Sequence, residues 1–313
     1  MGKSLVLTLT IISTLGAEQT LIPERLSIDG LIWCTALFSR GGAKGWFTNQ
    51  FEFQHRQATV ALTGKITPNA CTRLEFDFSR MNLRDLTVEF TWANGLGLKL
   101  GQLKLPLSFN SEINEKQLAL EEYPILYYTA ILKPSDIRDI GILGWFRAGT
   151  STEPDFWLVG GLVNGTGPNR GDDNSAKDLF ARVVIKPWPG ISLGGRLYYG
   201  WMQPAAVPWL GAGLETKLQF GPLIIVPEFA LRRYQNVTLP AGDIRIETAL
   251  TPLAPAVSLE AIRWEDGKIQ WRVLPALNIP VHERLKILIG YQYHSRVKVW
   301  EYQSLVIRLL ADL

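Results

Sequence analysis

Beyond residue 17 the sequence has no apolar run long enough for a helix to cross a bilayer, so no helical membrane span is expected. Cysteine is nearly absent. Cys34 and Cys71 make no disulfide scaffold, and the strand assignment below puts them on non-adjacent strands at different heights, which argues against a bridge. Histidine is scarce too. His55, His282 and His294 lie far apart, none beside a serine or cysteine nucleophile motif, and no Cys/His cluster has metal-ligand spacing. There is no glycine-rich phosphate loop opening a helix, since Gly161 to Gly167 ends a strand and begins a loop. These gaps leave catalysis without support, and neither an enzyme nor a cofactor is expected. Charge of one sign is also missing: 32 Lys+Arg against 29 Asp+Glu give +3, too near zero to argue for nucleic acid.

What the sequence does have begins at its start. Met1-Gly2-Lys3 is a positive n-region, Ser4 to Leu15 is uncharged and largely apolar, and the small Gly16-Ala17 precedes the polar Glu18-Gln19-Thr20. That order predicts a secretory signal peptide over 1–17, cleaved after Ala17, leaving one domain over 18–313. The apolar run is too short for a membrane anchor. The implied route is export, and with the strand pattern described next the expected destination is the outer membrane of a Gram-negative-type cell.

The dominant period in the rest of the chain is two. Thr72 to Phe78 places Leu74, Phe76 and Phe78 on one side and Arg73, Glu75 and Asp77 on the other; Leu86 to Trp92, Ile244 to Thr248 and Ile269 to Val273 repeat the pattern. Such alternation marks strands with one apolar and one polar face. Turn signals punctuate it, among them Thr67-Pro68-Asn69, Ala93-Asn94-Gly95, Pro187-Trp188-Pro189-Gly190 and Glu265-Asp266-Gly267-Lys268. The resulting map has strands at 26–38, 51–66, 70–80, 85–92, 96–105, 138–148, 155–163, 177–186, 191–200, 209–220, 222–233, 243–251, 256–264, 269–280, 285–294 and 298–309. The expected fold is all-β, a transmembrane antiparallel barrel of about 16 strands.

Loop lengths test that map. Bacterial barrels have short periplasmic turns and longer extracellular loops. The connections assigned to the periplasm, 67–69, 93–95, 149–154, 187–190, 221, 252–255 and 281–284, are all short, and every long one (39–50, 106–137, 164–176, 201–208, 234–242) falls in the opposite set. Trp33, Trp46, Trp92, Trp145, Trp157, Trp188, Trp209, Trp264 and Trp300 fall mostly near strand ends or turns, where interfacial girdles would put them.

Segment 106–137 is the longest connection, and the third extracellular one. It carries Phe109, Ile113, Leu118, Leu120, Tyr123, Ile125, Tyr127 and other apolar residues that must be buried somewhere, and Asn114 to Glu122 suits a short helix. In a barrel the available place is the lumen, where the loop would fold inward and narrow the pore. Folding over the mouth or into a subunit contact is the alternative. Inward polar faces would carry Arg73, Arg182, Arg196, Arg232, Arg245, Arg272 and Lys286 against Glu75, Asp77, Glu89, Glu228, Glu247 and Glu260. Rings of one sign set ion selectivity, but this set is nearly balanced, and cross-strand ion pairs are the plainer role for most of it. Lys104, Lys133 and Arg138 flank the loop's two roots and are the better candidates for solute contact, with Lys116 inside the loop.

Several runs resemble a known family. Gly101-Gln102-Leu103-Lys104-Leu105-Pro106 after a strand, Arg138-Asp139-Ile140-Gly141 opening the next, Gly161 to Gly167 followed by Lys177-Asp178 and Arg182, and Leu62 to Pro68 resemble, in order, the phosphate-selective porin O and P family. The resemblance covers roughly residues 50–200. It implies a sixteen-stranded homotrimer in outer-membrane lipid whose third extracellular loop enters the pore, passing small hydrophilic solutes and selecting anions such as phosphate through lysines near the constriction and arginines along the wall. Two features depart from the pattern. Loop 106–137 is net acidic, with Glu112, Glu115, Glu121, Glu122 and Asp136 against Lys116 and Lys133, and the last strand runs to Leu313 without a terminal aromatic. Two other readings stay open: a plugged structural or adhesive barrel, and a secreted soluble β-sandwich that binds carbohydrate.

Overall fold

The computed structural model describes residues 26–43, 48–113, 118–120, 137–149, 154–172, 175–202, 207–248, 250, 253–296 and 300–312. Their elements run β1 Leu26–Ala43, β2 Thr48–Thr67, β3 Ala70–Asp77, β4 Asn82–Thr91, β5 Leu96–Lys104, a helical turn α1 Phe109–Glu112, then β6 Arg138–Gly149, β7 Pro154–Val163 and β8 Asp178–Trp188. The second half comprises β9 Ile191–Met202, β10 Val207–Phe220, β11 Leu223–Tyr234, β12 Val237–Thr248, β13 Ala254–Arg263, β14 Ile269–His282, β15 Leu285–Arg296 and β16 Trp300–Asp312. Every strand pairs antiparallel with its sequence neighbours, and β16 returns to β1, so the sheet is a closed barrel without edges. Two stacked open sheets are thereby excluded, and with them the soluble sandwich.

Closure sorts side chains by the strand period of two. On β8, Phe180, Arg182 and Val184 are buried while Leu179, Val183 and Ile185 are exposed. On β10 the contrast is sharper: Leu214 is 68% exposed and its neighbour Glu215 only 3%. The outside therefore carries Leu158, Leu197, Leu214, Phe229, Ile244, Leu259 and Trp271, all exposed, as one apolar belt far too extensive to face water. The inside carries the charges. That is the inverse of a soluble protein and the arrangement a bilayer demands of a barrel.

Sixteen strands in sequential order match the expected map, but several strands are longer. β1 reaches Ala43 and β2 starts at Thr48, so the loop expected at 39–50 is mostly strand. β9 and β10 leave only 203–206 between them, and β11 and β12 only 235–236, where long loops at 201–208 and 234–242 were expected. β10 and β12 run through Pro208, Pro240 and Gly242. Two long connections remain, 105–137 and 164–177, both at the same end of the barrel; the opposite end has only short turns. Trp92, Trp188 and Trp271 point outward and are well exposed, whereas Trp33, Trp157 and Trp209 are buried inside the barrel rather than in an interfacial girdle. Cys34 on β1 and Cys71 on β3 are both free and lie on strands that are not neighbours. The signal-peptide assignment to 1–17 lies outside the described residues, as do Lys116 and Lys133.

Candidate pore constriction

Segment 105–137 leaves β5 through Leu105-Pro106-Leu107 and forms a helical turn whose start the sequence specifies. Ser108, extended at φ −160°, caps it: its Oγ accepts from the Ser111 amide at 3.0 Å, and its own amide donates to Ser111 Oγ at 2.7 Å. A helical turn leaves its first amides without partners inside the helix and slightly positive at its start. Here the inner wall supplies those partners. The Phe109 amide donates to Glu215 Oε2 at 2.6 Å, the Asn110 amide to Glu228 Oε1 at 3.2 Å, and the Asn110 side-chain amide to Asp243 Oδ2 at 3.1 Å.

Those acceptors belong to a row. The register places Glu215 opposite Glu228, Glu228 opposite Asp243, and Asp243 opposite Glu260, so four buried carboxylates lie side by side on β10, β11, β12 and β13. Like charges directly opposite repel, and arginines at both flanks offset this. Arg182 Nε sits 2.5 Å from Glu215 Oε1; Arg196 reaches Glu215 and Glu228, each at 3.5 Å; Arg272 grips Glu260 with contacts of 2.8 and 3.0 Å. Arg182 also ties the loop to the wall. Its NH1 donates to Glu112 Oε2 at 2.6 Å and to the Pro106 carbonyl at 3.3 Å, and the guanidinium lies 5.0 Å from the Phe109 ring centre and 5.1 Å from that of Trp157.

A second charged cluster stands on β3 to β6. Arg73 NH2 lies 2.6 Å from Glu75, Arg84 Nε 3.3 Å from the same carboxylate, and Arg138 Nε 2.8 Å from Asp85. Lys104 donates to the Ile113 carbonyl at 2.8 Å, fastening the near root of the loop. Arg73, Lys104 and Arg138 line one polar cavity of about 160 Å³, together with Asp29, Asp85 and Glu112. Farther along, the Leu118 carbonyl accepts from Lys286 at 3.3 Å and the Ala119 carbonyl from Asn278 at 2.8 Å, so residues 118–120 lie against β14 and β15. These three residues are not helical; the described helical turn lies earlier than the helix expected at 114–122.

The structure thus gathers Arg73, Lys104 and Arg138 at one cavity and puts Arg182 and Arg196 in the other cluster. Sequence reasoning missed Glu215, Asp243 and Asn278, which also hold the loop. Glu215 shares a strand face with Gly211 and Gly213, an alternation with Leu210 and Leu214 that was there to be read. Asp243 fell at the edge of a strand drawn too short.

No family model matches the chain, and no curated protein sequence matches it. Solved structures do. An anion-selective porin from Comamonas acidovorans aligns with a TM-score of 0.71 over 92% of this chain and 99% of its own, at 8% identity. The outer membrane channel DcaP of Acinetobacter baumannii gives 0.68 over 92% and 97%, at 12% identity. A trimer form of OmpT, an outer membrane protein of Vibrio cholerae, gives 0.62 over 93% and 100%, at 9%. The fold is the porin fold.

On this porin barrel the runs Arg138 to Gly141, Gly161 to Gly167 and Lys177-Asp178 meet at the long-loop rim and work as scaffold. The Asp178 carboxylate accepts from the Tyr198 hydroxyl at 2.9 Å and the Trp201 amide at 3.1 Å, and packs where a Cβ on Gly165 or Gly200 would lie 2.4 or 2.5 Å from it. Gly165 also has φ +79°, which favours glycine. Asp139 accepts from the Ile140 amide at 2.7 Å and from the Gly165 and Gly167 backbone.

Proposed function

We propose that the protein is an outer-membrane porin, exported by a cleaved signal peptide, through which small hydrophilic solutes diffuse passively. One observation carries this: a closed sixteen-strand barrel is apolar outside and charged inside, with the described parts of its longest loop bonded to the inner wall. A barrel of this size encloses room for an aqueous channel, and a loop fixed to the wall at β8, β10 to β12, β14 and β15 narrows it. The solutes include small anions such as phosphate, in keeping with the basic residues Arg73, Lys104, Arg138, Arg182 and Arg196 near the loop's roots and with the similarity to an anion-selective porin. Assembly is as a homotrimer, supported by the trimer form of the Vibrio cholerae relative. Transport of this kind needs no catalytic group and no cofactor.

Purified protein in planar bilayers tests the reading: stable unitary current steps are expected. A second reading has its own support, because Leu103, Leu105, Leu107, Leu118, Leu120 and Ile137 are all no more than 2% exposed, as in a lumen filled by protein. A plugged barrel would give no unitary steps, while still folding and resisting extraction without detergent.

A further inference from the structure

Gly242 opens a notch in the outer belt. On the outward face the register sets Leu214, Phe229, Gly242, Ala261 and Trp271 side by side across β10 to β14. Bulk at both ends and almost none in the middle leave an open groove of about 940 Å³, walled by Phe229, Ile244, Leu259 and Trp271. The backbone leaves room there, since a Cβ on Gly242 would meet nothing nearer than 3.5 Å.

Above the groove the outer face changes character. Arg233 lies four residues beyond Phe229 on β11, and Arg263 two beyond Ala261 on β13, both towards the long-loop rim and both exposed. Among the described side chains they are the two charged ones that the alternation puts on the outer face of β8 to β15. Neither has an ion-pair partner within salt-bridge distance among the described residues. Of the carboxylates in the turn after β13, Asp266 is held by Lys268 at 3.5 Å and Glu265 interacts with the inward Arg232. Strands β11 and β13 flank β12, so their backbones stand roughly 10 Å apart. Two arginine side chains can close on one small group across that gap.

We infer that this outer face docks one membrane lipid with a phosphate headgroup, in the leaflet on the long-loop side. An acyl chain lies in the groove at Gly242, and the phosphate meets Arg233 and Arg263. The inference rests on the barrel lying in a membrane, as read above, and not on its conducting. Arginine presents a planar fork of N–H donors that matches phosphate oxygens. An arginine in mid-belt would be costly, but at the edge of the hydrocarbon it stands level with the headgroups. A second copy of this chain docking by the same face would bring no carboxylate to these arginines, since the outer face of β8 to β15 carries none among the described residues. A lipid phosphate supplies the charge that such a contact lacks.

Native mass spectrometry of the detergent-purified full chain tests this, with dioleoyl phosphatidylglycerol and dioleoyl phosphatidylcholine as probes that differ in headgroup charge alone. The wild type is expected to retain one phosphatidylglycerol per barrel about tenfold more tightly than phosphatidylcholine, the scale of one hydrogen bond to a charged group. The double variant Arg233→Gln, Arg263→Gln should lose that preference. Gly242→Leu, which fills the groove and keeps both arginines, should weaken both lipids. Equal binding of the two lipids by the wild type, or an unchanged preference in the double variant, overturns the inference. So does displacement of the lipid by millimolar inorganic phosphate, which would give the arginines to a free ion. A change in the number of chains per particle, with lipid binding unaltered, would make the face a subunit contact and reject the lipid. None of these readings depends on current through the barrel, so a failure to conduct would sink the channel reading alone.

Discussion

Arg182 and Glu215 meet across β9, Nε to Oε1 at 2.5 Å, and neither side chain is reached by solvent. The pair joins β8 to β10 and, through Glu112 and the Phe109 amide, joins both strands to the loop. A buried pair of this kind is costly to break because the survivor stays charged and unpaired. Arg182→Met is expected to destabilise the barrel by about 3–5 kcal/mol. Arg182→Lys should lie between it and the wild type, since an ammonium cannot serve Glu215, Glu112 and the Pro106 carbonyl together. Urea unfolding in lipid vesicles measures both, and a wild-type stability for Arg182→Met would refute the role given to the pair.

The carboxylate row makes the opposite prediction for Asp243. Asp243 faces Glu228 on one side and Glu260 on the other, and its Oδ1 has no hydrogen-bond partner among the described residues. Asp243→Asn keeps the shape and an acceptor for Asn110 while removing one repelling charge. Stability should hold or rise by up to about 1 kcal/mol, the size of a cross-strand charge interaction. The same unfolding assay reads it; a loss above 1 kcal/mol would show that the charge itself is needed.

The outer belt sets a third expectation. Leu214 lies at the centre of β10 and faces outward. Leu214→Arg should cost about 2–4 kcal/mol in a bilayer, the range for a cation at midplane on a barrel's lipid face. Folding equilibria in vesicles test this, and a cost near zero would place Leu214 away from lipid.

The two thiols report on the same sidedness without new charges. Cys34 is exposed on the outer face, whereas Cys71 shares the inward face of β3 with Arg73 and Glu75 and lies opposite Glu89. A small water-soluble thiol reagent is expected to modify Cys71 in vesicle-embedded protein and to leave Cys34 untouched until detergent replaces the bilayer. The reverse order of labelling would invert the assignment of the two faces.

Much of the barrel was legible because lipid outside and polar contents inside write themselves as alternation: Leu74, Phe76 and Phe78 against Arg73, Glu75 and Asp77 needed no coordinates. Strand ends were less legible. β12 was expected from 243, but it starts at Val237 and pairs with β11 through Pro240 and Gly242, which leaves Asp243 mid-strand. The site was legible only as candidates. Arg138 and Arg73 are far apart in sequence and share a cavity because β3 to β6 stand side by side.

By itself the sequence determined that the strands alternate an apolar and a polar face, how many strands there are, and that the one long apolar connection had to be buried. Periodicity and turn chemistry are local properties, so one chain suffices to read them. Tertiary structure alone decided that Glu215, Glu228, Asp243 and Glu260 form one row and that loop amides answer them. Those facts depend on register between strands and on curvature that brings distant inward positions together, and neither is encoded in the spacing along any single strand.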